Sequence, residues 1–79
     1  MYLHIGNNHV VETSSVVGIF DIEKVTSDKR GRDYLNRAAK EGRVVYTTDE
    51  LPRSFVVTAE RVYISQISPI TLAKREMQM

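Results

Sequence analysis

The chain has no cysteine, no long apolar run and almost no net charge. Without cysteine there is no disulfide framework and no thiolate-ligated metal, a composition that suits a reducing compartment. No apolar stretch approaches the ~18 residues of a membrane span, and Met1-Tyr-Leu-His-Ile-Gly6 lacks the basic segment and apolar run of a secretory leader. A soluble, cytoplasmic protein without a membrane partner is expected. Motifs for chemistry are missing too: no nucleophile elbow, no phosphate-binding glycine loop and no HExxH helix. An enzyme is therefore not expected, nor are a cofactor, a metal or a small-molecule substrate.

What remains is an ordinary globular composition, 42% hydrophobic and 27% charged over 79 residues. That length allows one domain, set at residues 1–76 with a frayed tail over 77–79. Tyr2 to Ile5 and His9 to Val11 flank Gly6-Asn7-Asn8, residues that tolerate the positive φ of a tight hairpin turn. Val16 to Ile22 reads as a third strand, apolar on both faces and so central, with Gly18 marking close packing or a bulge.

A helix capped by Ser27 or Asp28 reaches Glu41 and stops at Gly42. Its apolar stripe is Tyr34, Leu35, Ala38 and Ala39, and Gly31 near its start costs roughly 1 kcal/mol against alanine. Arg43 to Thr47 reads as a fourth strand, and Thr48 to Pro52 as a polar loop. Strands five and six turn at Ala59-Glu60-Arg61, and Ser68 with Pro69 starts a short last helix. The class is α+β: about six short, mostly antiparallel strands, one central helix and a short C-terminal helix.

The hairpin of residues 53–67 carries apolar side chains on both faces. Phe55 and Val57 point one way and Val56 the other; Val62 and Ile64 oppose Tyr63 and Ile67. A chain this small buries only about 60% of its unfolded surface, so a second copy is the nearest source of cover. Phe55, Val57, Tyr63 and Ile67 are the expected oligomer contacts.

Charge is uneven along the chain. Residues 24–43 hold seven basic against three acidic side chains, and the remainder has four against seven. Asp33 to Arg37 and Arg37 to Glu41 are spaced for i,i+4 pairs, leaving Lys29, Arg30, Arg32 and Lys40 freer. Repeated around a symmetric assembly, such a patch becomes a belt for a polyanion. His4 and His9 fall diagonally on one hairpin face if Asn7-Asn8 are a simple two-residue turn, but a third metal ligand is lacking. Asp21 with Glu23, and Asp49 with Glu50, read as ordinary solvated carboxylates.

Tyr2-Leu-His-Ile-Gly6, Val16-Val17-Gly18-Ile19-Phe20-Asp21, Arg53-Ser-Phe-Val-Val-Thr58 and Val62 through Arg75 together resemble the bacterial extracellular matrix regulators RemA and RemB. The chain is closer to the RemB, or YaaB-like, branch. The resemblance implies a cytoplasmic transcriptional regulator of biofilm matrix genes, a LytTR-like fold and a homo-oligomeric ring that binds double-stranded DNA. In the RemA branch it implies DNA-contacting arginines in a Gly-Arg-Arg-Thr-Arg loop and one before the third strand. Here only Arg53 stands at such a place. Asp49, Glu50, Leu51 and Pro52 fill the rest of the loop, and Ser15 precedes the third strand. Arg53 by family position, and Lys29, Arg30 and Arg32 by local charge, are the expected DNA contacts. The alternative is an oligomeric interaction or scaffold protein of the same fold that does not bind DNA directly.

Overall fold

In the computed structural model, which describes residues 1–77, the two-faced hairpin lies at the centre of the molecule. β1 (Tyr2–Gly6) and β2 (His9–Glu12) form a separate hairpin, followed by a single 3-10 turn at Thr13–Ser15. β3 (Val16–Asp21) leads into α1 (Ile22–Thr26) and α2 (Lys29–Lys40); β4 (Val44–Tyr46), β5 (Ser54–Thr58), β6 (Val62–Ser65) and α3 (Pro69–Met77) follow. Four strands share one sheet in the order β3-β5-β6-β4. β5 is antiparallel to both β3 and β6, while β4 is parallel to β6. β3 and β4 thus point the same way, and the β5–β6 hairpin fills the two places between them. The α+β class and the six, mostly antiparallel strands agree with the sequence reading, with one parallel pair at the β4 edge. Of the tail expected to fray, residues 78 and 79 lie outside the described residues.

The alternation of β5 and β6 sorts side chains between two cores as expected. On one face Val56 packs with Leu3, Ile5, Val11 and Leu72, joined by half-buried Tyr63 and Ile67, so the β1–β2 hairpin and α3 cover this side. On the other, Phe55, Val62 and Ile64 pack with Ala38 of α2, with Val57, Leu35 and Val25 alongside. Each such fully buried side chain contributes about 1.5–3 kcal/mol. Most of the surplus apolar surface is therefore covered within a single subunit.

β3 is an edge strand, not a central one. Its Val16 and Ile19 pack against the core under the N-terminal hairpin, while its face toward α2 is only partly covered. Its free edge leaves Val17 70% and Phe20 44% exposed. A bulge between Val16 and Gly18 interrupts its pairing with β5, and the Phe20 ring lies over Gly18 so closely that a Cβ there would stand 2.6 Å from it. The strand stops at Asp21 because that carboxylate accepts hydrogen bonds from the amides of Glu23 and Lys24, capping α1, a helix the sequence reading does not include.

Asp28 caps α2 by accepting from the Arg30 amide. At its other end Gly42, at φ +72°, donates to the Ala39 carbonyl while Arg43 donates to Ala38, a Schellman closure. Ser68 caps α3, its Oγ accepting from the Thr71 amide at 3.2 Å.

In the N-terminal hairpin Asn7 and Asn8 take φ of 46° and 66°, the positive pair a tight turn requires. The register differs from the simple expectation: Gly6 pairs with His9, but an extra residue, Ile5, bulges so that His4 pairs with Val10. His9 then shares the side of buried Val11, while His4 lies on the outer side beside Val10. The two imidazoles are thus on opposite faces, and among the described residues no group of three His, Cys, Asp or Glu side chains could hold a metal.

Buried hydroxyls tie this hairpin to the sheet. Ser65 Oγ donates to the Ile5 carbonyl at 2.7 Å and accepts from the Ile67 amide at 3.0 Å. Thr47 Oγ1 donates to Ile64 O at 2.8 Å, and Ser54 Oγ to Ile67 O at 2.6 Å. Among the described residues no buried side-chain polar atom is left without a partner. No helix among the described residues is long and apolar enough to cross a membrane.

Candidate functional site

Arg53 stands immediately before β5, with its backbone fixed on both sides. Its amide donates to the Ser65 carbonyl at 2.8 Å, and its own carbonyl accepts from the Ile22 amide at 3.0 Å. The side chain is exposed and makes no ion pair among the described residues. It borders a depression of about 410 Å³ that also includes Lys24 of α1, Asp21, Ser68 and Ile70. Asp21 directs one carboxylate oxygen at the α1 amides, so part of its charge is engaged away from the opening.

The cations expected at the start of α2 are less free than their spacing suggests. Lys29 pairs with Asp33 at 3.3 Å, Arg30 with Asp28 at 3.6 Å, and Arg32 donates to the last-turn carbonyl of α1 at Thr26, 2.8 Å away. Neither Arg37 pair expected from i,i+4 spacing forms. Asp33 is taken from the other direction by Lys29, and Glu41 by Arg43 at 2.8 Å. That last contact holds the Arg43 guanidinium more firmly charged than usual, chiefly through the hydrogen bond it donates to the Glu41 carboxylate. All three ion pairs are at the surface, where such pairs contribute about 0–1 kcal/mol and exchange readily for a stronger anion. Lys29, Arg30 and Arg32 border neither this depression beside Arg53, which Lys24 does border, nor a smaller one of about 270 Å³ that Arg53 shares with Leu51 and Glu23.

Lys24 is the residue that sequence reasoning misses. It sits on α1, and the signal for that helix is present: Asp21 followed by Glu23, a capping side chain and an acidic first turn. The apolar character of residues 16–22 outweighs that signal in a reading by pattern.

The four side chains expected at a subunit contact divide between the two faces. Tyr63 and Ile67 are half-buried beneath the chain's own hairpin and α3. Phe55, 2% exposed, belongs to the subunit core rather than to its surface, because Ala38 and its neighbours on α2 cover it. Together with Val57 it borders an almost wholly apolar groove whose other walls are Val17, Phe20, Val25 and Tyr34. The groove opens beside the free edge of β3. At the opposite edge of the sheet, Tyr46 on β4 is also exposed.

The loop leading to Arg53 differs from a basic one in shape as well as charge. Leu51 is 85% exposed and follows the exposed carboxylates of Asp49 and Glu50, while Ile70, 70% exposed, borders the depression that Arg53 shares with Lys24. Thr48 Oγ1 accepts from the Glu50 amide at 2.9 Å and donates to Gln66 Oε1 at 2.6 Å, which anchors the loop to the segment after β6.

Comparison with known proteins agrees with the resemblance drawn from residues 2–75. Those same residues match the family model described as RemA-like, extracellular matrix regulatory protein A-like. The chain is also 37% identical over 79 residues to extracellular matrix regulatory protein B of Bacillus subtilis (strain 168), an alignment covering all of this chain and 94% of that protein. On both grounds the chain belongs to the RemA-like family of extracellular matrix regulatory proteins.

Proposed function

We propose that this protein regulates extracellular matrix genes in the cytoplasm as a homo-oligomer, in the manner of a LytTR-like ring, that binds double-stranded DNA through phosphate contacts. The observation that carries the reading is Arg53, whose backbone is held by two main-chain hydrogen bonds while its guanidinium is exposed beside Lys24 and has no ion pair among the described residues. A preorganised guanidinium is well suited to phosphate. Lys29 and Arg30 are recruited to DNA by giving up weak ion pairs, and Arg32 by giving up its hydrogen bond to the Thr26 carbonyl. Such contacts position a duplex without reading its bases, so preference arises from DNA shape and deformability.

Assembly is supported by the sheet itself. Both of its edges, β3 and β4, are open, they run in the same direction, and each presents exposed apolar side chains, Val17 and Phe20 at one and Tyr46 at the other. Rotation about a ring axis brings β3 of one copy against β4 of the next in parallel, a head-to-tail contact that repeats until the ring closes.

DNA titration of the purified protein across a range of salt, for wild type and Arg53→Glu, tests the reading. The variant is expected to bind at least tenfold more weakly with its oligomeric mass unchanged by light scattering. Equal affinity for both proteins removes Arg53 from the site, and a monomeric wild type removes the assembly.

A second reading has its own observation. Leu51, Ile70 and Phe20 surround Arg53 with exposed apolar surface, the combination of arginine and apolar anchors found at the centre of protein contacts. Under it the chain is an interaction protein of the same fold. Absence of any DNA complex at low salt and micromolar subunit concentration favours this reading.

A further inference from the structure

The two ends of the chain meet across a depression that the preceding function does not use. One Nη of Arg75, near the C-terminal end of α3, donates to the His4 carbonyl on β1 at 3.2 Å, linking residues 71 positions apart. Around them lies an open depression of about 650 Å³ bordered by Tyr2, His4, Asn7, Asn8 and Ile67. It is roomier than those beside Arg53, at about 270 and 410 Å³, and falls within the usual range for small-molecule sites.

Its chemistry sets it apart. The polar depressions beside Arg53 and under the β5–β6 turn include carboxylates, Asp21 and Glu23 in the one and Glu12 and Glu60 in the other. No carboxylate among the described side chains borders this one. Arg75 spends one N–H on the carbonyl and, among the described residues, makes no other side-chain hydrogen bond or ion pair with its five-donor fork. Asn7 is anchored through its amide nitrogen to the Thr47 carbonyl, which leaves its side-chain oxygen as an acceptor. Asn8 retains a full amide at the hairpin tip. Tyr2 is exposed and offers a flat aromatic face, and Ile67 supplies an apolar floor.

We propose that this depression binds a nucleotide: a phosphate on the Arg75 guanidinium, a base on the Tyr2 ring, and the asparagine side chains at the polar edge of the base or sugar. Arginine pairs with phosphate in a two-pronged geometry, and aromatic rings stack on bases with little regard to sequence. The ligand's phosphate and base have two sources, a free nucleotide or the DNA itself, and the site is assigned to the free nucleotide because it is separate from the surface around Arg53.

Isothermal titration calorimetry on the full chain tests this with AMP, CMP, adenosine and inorganic phosphate as probes, on wild type, Arg75→Ala, Arg75→Lys, Tyr2→Ala and Arg53→Glu. At least one of the two nucleotides is expected to bind saturably, at least tenfold more tightly than adenosine or phosphate. Arg75→Ala should weaken it tenfold or more, Arg75→Lys and Tyr2→Ala by smaller factors, and Arg53→Glu not at all, with unchanged far-UV circular dichroism throughout. No saturable binding of AMP or CMP, equal binding of phosphate alone, or undiminished affinity in Arg75→Ala overturns the proposal. It is also overturned if Arg75→Ala weakens duplex DNA binding while neither nucleotide binds, since the phosphate then comes from DNA. Loss of DNA binding in Arg53→Glu with nucleotide affinity intact separates this site from the one proposed above.

Discussion

The main-chain carbonyl oxygen of Val25 lies 2.0 Å from where a Cβ on Gly31 would stand. Helix propensity alone counts Gly31 as a weakness in α2, since alanine is favoured there by about 1 kcal/mol. The corner between α1 and α2 reverses the sign, because the two helices approach through the space a side chain would need. Gly31→Ala is therefore expected to destabilise the protein by about 1–3 kcal/mol, the usual penalty of overpacking. Urea denaturation measures it, and a more stable variant would show that the corner yields freely.

Ser65 joins three segments with one hydroxyl, donating to Ile5 O and accepting from the Ile67 amide while fully buried. Ser65→Ala takes this acceptor from the Ile67 amide and leaves the Ile5 carbonyl with only the long 3.5 Å bond from Thr47 Oγ1, at a cost of about 1–3 kcal/mol. The effect should concentrate in the N-terminal hairpin. Faster amide exchange of Leu3 and Ile5 relative to β5 is the expected signature, whereas uniform acceleration would mean that the hairpin is not held by this bond.

Lys24 and Arg53 border one depression, while Lys29 is already paired with Asp33. If DNA lies there, Lys24→Ala should reduce the salt slope of binding by about one unit. Lys29→Ala should reduce it less, because Asp33 competes for that cation. Slopes from titrations at several salt concentrations decide this, and a larger loss for Lys29 would move the site to α2.

Val17 is the most exposed side chain on the free edge of β3, at a bulge where the subunit's own pairing is interrupted. Val17→Asp places a charge on the apolar groove without disturbing either core. If the proposed assembly uses this edge, light scattering should show a lower mass than wild type with circular dichroism unchanged; an unchanged oligomeric mass would locate the contact elsewhere.

Much of this architecture was legible in local chemistry. The caps at Asp28 and Ser68, the closing Gly42, the turn at Asn7-Asn8 and the two faces of β5 and β6 depend on neighbouring residues, so reading them needs no knowledge of the rest of the chain. The errors fall where a distant partner intervenes. His4 and His9 separated because one bulged residue, Ile5, shifts the register, and β3 moved to the edge because a hairpin more than thirty residues later takes the place beside it. The cations of α2 could be counted but not partitioned, since Lys29 and Arg37 compete for Asp33 on geometry that spacing leaves equal.

The sequence by itself determined the six strands, the two longer helices with their caps, the sorting of hairpin side chains between two faces and, through motifs spread from residue 2 to 75, the family; the short α1 with its Asp21 cap emerged only in the structure. Only the tertiary structure decided which apolar residues are covered within the subunit, that Lys24 joins Arg53, and that Arg75 reaches His4 across the molecule. The division has a physical cause. Dihedral preference, capping and alternation act over a few residues, whereas burial and charge pairing depend on which segments the folded chain brings together.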